Sequence, residues 1–243
     1  VWAILSKPRK EWKVEQKLID VNGIPAVVFG KKSNKSYIYV HGRCGNKFVA
    51  ETFAGIAEER GYQTIAFDLP EHGDRHDSRR LDVWDGTSDL TSIAEYVFSR
   101  YDEVSLYGCS IGAYFSLVCM ADKKLVRCLF QSPIADMKWL VTSMMRWNNV
   151  DEERLRREGE IKTPTEPLRY DFYRYIMDNP LPEWKHKTFI LCGAKDELQP
   201  IESIKAFAKR SGAVLTIAEN SGHAFMEEGD SQIVEKWLRE NIR

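Results

Sequence analysis

Apolar residues along this chain recur at two different spacings. Short runs rich in β-branched and aromatic residues alternate with longer segments in which apolar residues return every three or four positions. The first pattern is typical of buried strands and the second of amphipathic helices. Strands are predicted at residues 13–19, 24–29, 36–40, 63–67, 103–107, 126–130, 187–192 and 213–218, and helices at residues 48–60, 88–100, 111–121, 201–210 and 231–242.

The alternation of strands and helices predicts an α/β domain. Parallel strands need crossover connections, and helices in those connections cover both faces of the sheet. The first two strands differ because an Asn22-Gly23 turn separates them, and that dipeptide favours a tight hairpin. We therefore predict a mostly parallel sheet with an antiparallel beginning.

The alternation stops between residues 133 and 186. This segment contains several prolines, a charged run at residues 151–160 and many aromatic side chains. Insertions of this length inside an α/β domain rarely lack secondary structure. We predict a small, mostly helical cap at residues 133–186, inserted into a core formed by residues 1–132 and 187–243. The charged run is interpreted as a solvated helix face.

Composition and charge indicate an ordinary folded protein. The chain has 243 residues, of which 43% are hydrophobic and 29% charged, and its formal net charge is -1. A core of this size needs no disulfide or metal for stability. The near-neutral balance supplies no basic field for nucleic acid or an anionic membrane surface. The longest apolar stretch, residues 111–121, is too short to span a bilayer.

The cysteine pattern and the N-terminal residues favour a cytoplasmic location. There are five cysteines, and no two of them form a C-x-x-C pair. An odd number of thiols, mostly in apolar stretches, is typical of reduced cysteines. Apolar residues 1–5 precede Lys7, Arg9 and Lys10, which is the reverse of the order in a signal peptide.

A Gly-x-Ser-x-Gly pentapeptide at residues 108–112 is the strongest chemical signal. A predicted strand precedes it and an apolar helix follows it, which is the context in which a sharp turn exposes a serine hydroxyl. Ser110 is therefore the candidate nucleophile, and the competing interpretation is a serine that only caps the helix. Cys109 is set aside because the apex of such a turn belongs to Ser110.

A serine hydroxyl needs a base, and that base needs a carboxylate to orient it. Among the five histidines, His223 follows the last predicted core strand, at the same sheet edge as Ser110. Asp196 follows the preceding strand at that edge and is the leading acid, with Asp136 as the alternative. The chain order Ser110, Asp196, His223 is the one expected for a Gly-x-Ser-x-Gly hydrolase.

Stabilisation of an oxyanion requires two backbone donors. The N–H of Ile111, directly after the candidate nucleophile, is one. The N–H of Arg43, in the loop that follows the strand at 36–40, is our choice for the second. We also expect the Arg43 guanidinium to favour substrates that carry a carboxylate, because the two groups pair well.

Together these motifs resemble the α/β-hydrolase superfamily. The resemblance includes, in chain order, the His-Gly loop at 41–42, Asp-Leu-Pro-Glu-His-Gly at 68–73, Gly-Cys-Ser-Ile-Gly at 108–112, the Gly-to-Asp turn at 193–196 and Ser-Gly-His at 221–223. It implies a three-layer α/β sandwich with a twisted, mostly parallel eight-stranded sheet and a short cap insertion. It leaves the substrate open. Arg43 departs from the small or apolar residue often found after His-Gly.

Two further groups of residues could form a binding site, one for a metal ion and one for the substrate. Acidic and imidazole side chains between residues 68 and 77 superficially resemble metal ligands, but their spacing does not place them on one helix face, and neither a metal nor a cofactor is expected. Apolar side chains of the predicted cap would roof a substrate pocket above Ser110. The pocket residues predicted on this basis are Trp139, Met144, Met145, Trp147 and Tyr173.

The sequence therefore predicts a serine hydrolase that cleaves a carboxylic ester with a small to medium acyl group or an aromatic one. The reaction proceeds through an acyl-enzyme on Ser110, and the only partner it requires is the small-molecule ester. Thioesters, lactones and amides are close variants. The alternative is a non-hydrolytic use of the fold, as a lyase or a ligand-binding receptor.

Overall fold

The computed structural model describes residues 14–243. Residues 1–10, on which the expected cytoplasmic location partly rests, and residue 13, the first of the first predicted strand, lie outside the described residues. Within the described range no helix combines the length and the apolar character needed to cross a bilayer.

Eight strands form one sheet, and the predicted α/β sandwich is confirmed. The described residues contain ten strands: β1 (Gln16–Val21), β2 (Ile24–Phe29), β3 (Lys35–Val40), β4 (Gln63–Phe67), β5 (Glu103–Cys109), β6 (Cys128–Gln131), β7 (Glu160–Ile161), β8 (Leu168–Arg169), β9 (Thr188–Gly193) and β10 (Val214–Ala218). Strands β7 and β8 lie outside the large sheet and pair with each other. The order in the large sheet is β1-β2-β4-β3-β5-β6-β9-β10. Only β2 runs against its neighbours, so the sheet begins with the predicted hairpin.

Helices fill the connections between the parallel strands, and one more helix follows the last strand. They are α1 (Glu51–Glu58), α2 (Val83–Phe98), α3 (Ile111–Cys119), α4 (Met137–Trp147), α5 (Glu152–Glu158), α6 (Tyr170–Asp178), α7 (Ile201–Ser211) and α8 (Asp230–Asn241). The predicted helix at 48–60 is instead a 3-10 turn, Lys47–Ala50, followed by α1. Helix α2 begins before the predicted residue 88 because Asp82 caps it, accepting a hydrogen bond from the Asp85 N–H.

Strand alternation divides the buried side chains into two cores. On one face of the sheet, Ile38 and Val40 of β3 belong to a cluster that also contains side chains of α2, α3 and α7. On the other face, Tyr37 and Tyr39 belong to a cluster with side chains of α1 and α8. Burial of each large side chain contributes about 1.5–3 kcal/mol, so helices on both faces are held firmly to the sheet.

The segment between β6 and β9 contains α4, α5, α6 and the β7–β8 ribbon. Most of residues 151–160 are exposed, with Leu155 buried, so the charged run is a solvated helix face. Ion pairs attach the segment to core loops: Arg80 to Glu160 at 2.9 Å and Arg169 to Asp82 at 2.6 Å. Its division from the core as a separate cap stays a prediction.

A buried ion pair joins two loops at the carboxyl edge of the sheet. The Lys47 Nζ lies 2.6 Å from Asp68 Oδ2, and the two side chains are 2% and 0% exposed. Asp68 also accepts hydrogen bonds from the backbone N–H groups of Lys47 and Asp74. Burial alone would lower the pKa of Lys47, but its hydrogen bonds to Asp68 and Asp74 outweigh that effect and raise it. The loops after β3 and β4 are thereby fixed to each other.

Replacement of Lys47 by Met should lower the free energy of unfolding by about 3 kcal/mol or more, because it leaves the Asp68 carboxylate buried without its cation. The measurement is chemical denaturation. Lys35→Met is the matched control, since Lys35 pairs with Glu103 at 3.4 Å on the surface with both side chains about 40% exposed. The control should change stability by less than about 0.5 kcal/mol. Equal effects of the two substitutions would contradict the argument.

Candidate active site

Ser110 occupies the sharp turn between β5 and α3. Its backbone has φ 51° and ψ -118°, a conformation that exposes the side chain at the apex. The flanking glycines are required by close contacts. A Cβ on Gly112 would lie 2.4 Å from the His41 carbonyl oxygen, and one on Gly108 would lie 2.9 Å from the Ala113 Cα. The pentapeptide is therefore a packed strand-to-helix turn.

His223 and Asp196 lie next to Ser110 in a continuous chain of hydrogen bonds. His223 Nε2 is 2.8 Å from Ser110 Oγ, and His223 Nδ1 is 2.8 Å from Asp196 Oδ2. The histidine side chain is 17% exposed and the aspartate 3%. The structure thus brings together the three residues predicted from the sequence.

The arrangement fixes which atom donates in each hydrogen bond. A carboxylate accepts hydrogen bonds only, so His223 donates from Nδ1 and its Nε2 can accept a hydrogen bond from Ser110 Oγ. The other oxygen of Asp196, Oδ1, accepts from the backbone N–H groups of Leu198 at 2.8 Å and Gln199 at 3.0 Å. The carboxylate is therefore held at both oxygens, and the serine hydroxyl faces an imidazole of defined tautomer.

Asp136, the alternative acid, is engaged elsewhere. Its Oδ1 accepts from the Trp139 N–H at 2.9 Å and caps α4, while its Oδ2 accepts from Ser203 Oγ at 3.2 Å. The histidine–carboxylate contact is made by Asp196. The geometry therefore favours Asp196 as the acid.

Two serine contacts that sequence reasoning did not predict anchor the His223 loop. Ser132, at the end of β6, donates from Oγ to the His223 carbonyl at 2.7 Å and is 1% exposed. Ser221 donates from Oγ to Asp230 Oδ1 at 2.5 Å. Neither contact follows a sequence motif. For Ser132 the one signal is its place at the carboxyl end of a core strand.

The loop after β3 lies directly against the turn that carries Ser110. A Cβ on Gly42 would lie 3.2 Å from the Ser110 Cβ, so only glycine allows this approach without displacement. Arg43 follows Gly42, and Ile111 stands at the first position of α3, where a backbone N–H has no acceptor within the helix. The assignment of these two N–H groups to an oxyanion hole stays a prediction.

The Arg43 guanidinium contacts the carboxylate of Glu166 in the segment between β7 and β8. The Arg43 side chain remains 42% exposed. This ion pair connects the loop beside Ser110 to the inserted segment. A substrate carboxylate that binds Arg43 therefore has to compete with Glu166.

Two histidines that the site does not use join the loops after β3 and β4. His41 Nε2 accepts from the Leu69 N–H at 3.0 Å, and His72 Nε2 accepts from the Cys44 N–H at 3.1 Å. Each ring bonds a carbonyl through Nδ1: His41 to Gly42 at 2.7 Å and His72 to Pro70 at 2.8 Å. An imidazole that accepts at one nitrogen and donates at the other is neutral. Burial lowers the pKa of His41 to about 4.

The acidic residues that superficially resemble metal ligands bind cations of the chain itself. Asp68 and Asp74 are paired with Lys47, and Asp77 is paired with Arg75 at 2.7 Å. Among residues 14–243, no three or more His, Cys, Asp or Glu side chains converge as a metal site would require. The loop from residue 68 to residue 77 is held by ion pairs.

The predicted pocket residues are distributed between interior and surface. Met145 and Tyr173 are buried, whereas Trp147 is 57% exposed. The ring of Trp147 packs edge to face against that of Trp139, with 6.3 Å between the ring centroids. Met144 is partly exposed. A cavity of about 750 Å³ lies between α4, α6 and α7, and its lining contains none of these five residues. Their role in a substrate pocket stays a prediction.

A family profile matches most of the chain. The profile of the alpha/beta hydrolase family matches residues 38–236, which contain Ser110, Asp196 and His223. Among curated protein sequences, none matches the chain significantly.

Solved structures with the same fold cover almost the whole chain at low identity. Est1E from Butyrivibrio proteoclasticus, solved with ferulic acid bound, is 18% identical with a TM-score of 0.73, covering 92% of this chain and 96% of its own. Mouse alpha/beta hydrolase domain-containing protein 10 is 17% identical, with a TM-score of 0.72 and coverages of 93% and 97%. The Pyrococcus furiosus esterase Pf2001 is 16% identical, with a TM-score of 0.65 and coverages of 96% and 94%. At these identities the similarity shows the fold.

Acid should destabilise the protein through His41. The unfolded chain takes up a proton near the ordinary pKa of 6.5, whereas burial lowers the folded pKa to about 4. Stability is therefore unaffected by this group above about pH 7 and falls as the pH drops from there to about 4, by up to about 3 kcal/mol.

His41→Gln tests this assignment, because glutamine keeps an acceptor near the Nε2 position without titrating. Unfolding free energies measured between pH 4 and pH 8 should show a shallower acid loss for the variant than for the wild type. Parallel pH profiles would rule out His41 as the source.

Proposed function

The chain belongs to the alpha/beta hydrolase family, and we propose that it is a serine hydrolase that cleaves carboxylic esters through an acyl-enzyme on Ser110. The observation that carries the proposal is the hydrogen-bond chain from Asp196 through His223 to Ser110, with 2.8 Å at each of its two contacts. A nucleophile, a base and an orienting carboxylate within hydrogen-bond reach are the geometry of covalent acyl transfer.

The reaction begins when His223 Nε2 takes the Ser110 proton and Ser110 Oγ attacks the ester carbonyl carbon. Asp196 stabilises the imidazolium that forms. The tetrahedral intermediate collapses, and the alcohol leaves with the proton that His223 returns to it. Water, activated by the same histidine, then attacks the acyl-enzyme, and the carboxylic acid is released with Ser110 restored. Bonds and protons balance without a cofactor.

Developing negative charge on the carbonyl oxygen requires donors beside Ser110. We assign this role to the backbone N–H groups of Ile111 and Arg43. The support is the contact of Gly42 with Ser110, which places the loop after β3 against the nucleophile turn. Removal of one such donor typically costs about 10²–10³ in rate.

The thiol beside the nucleophile does not compete with it. Burial raises the pKa of Cys109 to about 12, so thiolate is scarce at neutral pH. The thiolate, and not the thiol, is the reactive form. Ser110 therefore carries the chemistry in this proposal.

The proposed substrates are esters of small to medium acyl groups or of aromatic acids. Est1E binds ferulic acid, which is an aromatic carboxylic acid, and the Pyrococcus protein is an esterase. Both properties fit the proposed reaction. Thioester, lactone and amide substrates need the same nucleophile and base, so profiling over these classes defines the natural bond.

Ser110→Ala should abolish turnover of a short-chain p-nitrophenyl ester, with a loss in kcat of about 10⁴-fold or more, because the acyl-enzyme no longer forms. Stopped-flow absorbance should show p-nitrophenol release by the wild type and none above background by the variant. Cys109→Ala is the matched control and should retain activity. Equal, slow release by wild type and Ser110→Ala would favour a lyase or a ligand-binding receptor instead.

If the Arg43 side chain binds a substrate carboxylate, Arg43→Ala should slow the hydrolysis of acidic esters more than that of neutral esters. For an ester with a free carboxylate in the acyl group, kcat/KM should fall about 10-fold further than for a neutral ester of equal length, the value of one charge-assisted hydrogen bond. Glu166→Gln should act in the opposite direction, because it removes the competing carboxylate. Equal losses for both esters would exclude Arg43 as a carboxylate site.

A further inference from the structure

Gln199 is a buried amide in the turn between β9 and α7. Gln199 is 1% exposed and lies three positions after Asp196. A buried primary amide is costly unless its donors and acceptor are satisfied. The partners of Gln199 therefore indicate what its position contributes.

The side chain of Gln199 pairs with the backbone of one residue in the inserted segment. Its Oε1 accepts from the Asp136 N–H at 2.8 Å, and its Nε2 donates to the Asp136 carbonyl at 3.2 Å. The same Nε2 donates to the Leu198 carbonyl at 2.8 Å. This double contact with Asp136 ties the turn after β9 to the start of α4.

The backbone of Gln199 meets the candidate catalytic acid. Its N–H donates to Asp196 Oδ1 at 3.0 Å, beside the Leu198 N–H at 2.8 Å, while Asp196 Oδ2 faces His223. Gln199 thus contacts the acid through its backbone and the inserted segment through its side chain. A shift of the turn relative to α4 would move the donors that orient the carboxylate.

We propose that Gln199 is a positioning residue: by bonding the backbone of Asp136, its amide holds the turn whose N–H groups orient Asp196 toward His223. The inference rests on the proposed function for its effect on catalysis. Its structural part, the link between Gln199 and the Asp196–His223 hydrogen bond, stands independently of the substrate.

The kinetic test compares Gln199→Met with the wild type. Methionine has a similar length and cannot form the amide hydrogen bonds. With a p-nitrophenyl ester we expect kcat to fall about 10- to 100-fold, the size of effect that a small displacement of a catalytic group produces, while KM changes little. Ser203→Ala is the control, because it removes the hydrogen bond from α7 to the Asp136 side chain, at 3.2 Å, and leaves the Asp196 turn intact. The control should keep kcat within about twofold of the wild type, as expected for a contact outside the reacting groups.

A double-mutant cycle with Asp196→Asn separates positioning from general structural support. If Gln199 acts through the acid, Gln199→Met should cause no further loss of kcat in the Asp196→Asn background. Fully additive losses in the two backgrounds would overturn the proposal. An unchanged kcat in Gln199→Met with the wild-type Asp196 would overturn it as well.

A spectroscopic readout tests the link without turnover. The proton between His223 Nδ1 and Asp196 Oδ2 should give a downfield resonance in the wild type and in Ser203→Ala. We expect that resonance to shift or to exchange away in Gln199→Met. An unchanged resonance would contradict the link, even if the protein hydrolyses no ester.

If the thermal transition shows that Gln199→Met does not fold, Gln199→Glu replaces it in the same resonance measurement. The glutamate keeps an oxygen that accepts the Asp136 N–H and loses the amide donor. Its resonance should still differ from that of the wild type, and an unchanged one would overturn the proposal. If the wild type neither releases p-nitrophenol nor reacts with a fluorophosphonate, the proposed function fails, while the resonance still decides the role of Gln199.

Discussion

The positive φ of Ser110 is the constraint around which the site is built. A non-glycine residue in such a conformation costs on the order of 1–3 kcal/mol and persists only where its surroundings fix it. Here the Ser110 N–H donates to the Gln131 carbonyl at 3.1 Å, and the Ser110 carbonyl accepts from the Ile134 N–H at 3.3 Å. The end of β6 therefore holds the nucleophile turn. Glycine is needed two positions before and two positions after Ser110, at Gly108 and Gly112, because neighbouring backbone leaves no room for a Cβ there.

Polar contacts hold the surrounding loops in place. The imidazoles of His41, which is buried, and His72, which is half-buried, connect the loop after β3 to the loop after β4, and so does the buried Lys47–Asp68 pair. Buried charges are expensive unless every partner is present, so such a network tolerates few substitutions. The network fixes Gly42 against Ser110 and holds the loop that carries Arg43. Rigidity of this kind suits the oxyanion site that we propose for this loop.

Sequence reasoning predicted the parts of this structure that depend on local patterns. The strand-to-helix turn at Ser110 is encoded in five consecutive residues, and the hairpin in Asn22 and Gly23. The positions of His223 and Asp196 followed from strand order, because the carboxyl ends of parallel strands share one edge. The predicted start of α2, at residue 88, was five residues too late, because the capping side chain of Asp82 begins the helix at Val83 and the apolar pattern gave no sign of it.

Several contacts that sequence reasoning missed are long-range. Ser132 and His223 are far apart in the chain, as are Gln199 and Asp136 and also Arg43 and Glu166, and no periodicity relates the members of any pair. Each pair is determined by how the loops meet in three dimensions. Polar side chains outside a motif have no local signal, and only the assembled fold identifies their partners.

The ion pairs of the inserted segment have a consequence for how the segment can change during evolution. Arg43, Arg80 and Asp82 lie in the core loops, while their partners Glu166, Glu160 and Arg169 lie in the insertion. Arg43 and Arg80 are each 42% exposed and stay solvated without these partners, whereas the Asp82 side chain is 7% exposed, so a foreign insertion grafted between β6 and β9 would leave that carboxylate buried without its cation. Recombination at this boundary is therefore constrained at Asp82, where a new insertion has to supply a cation.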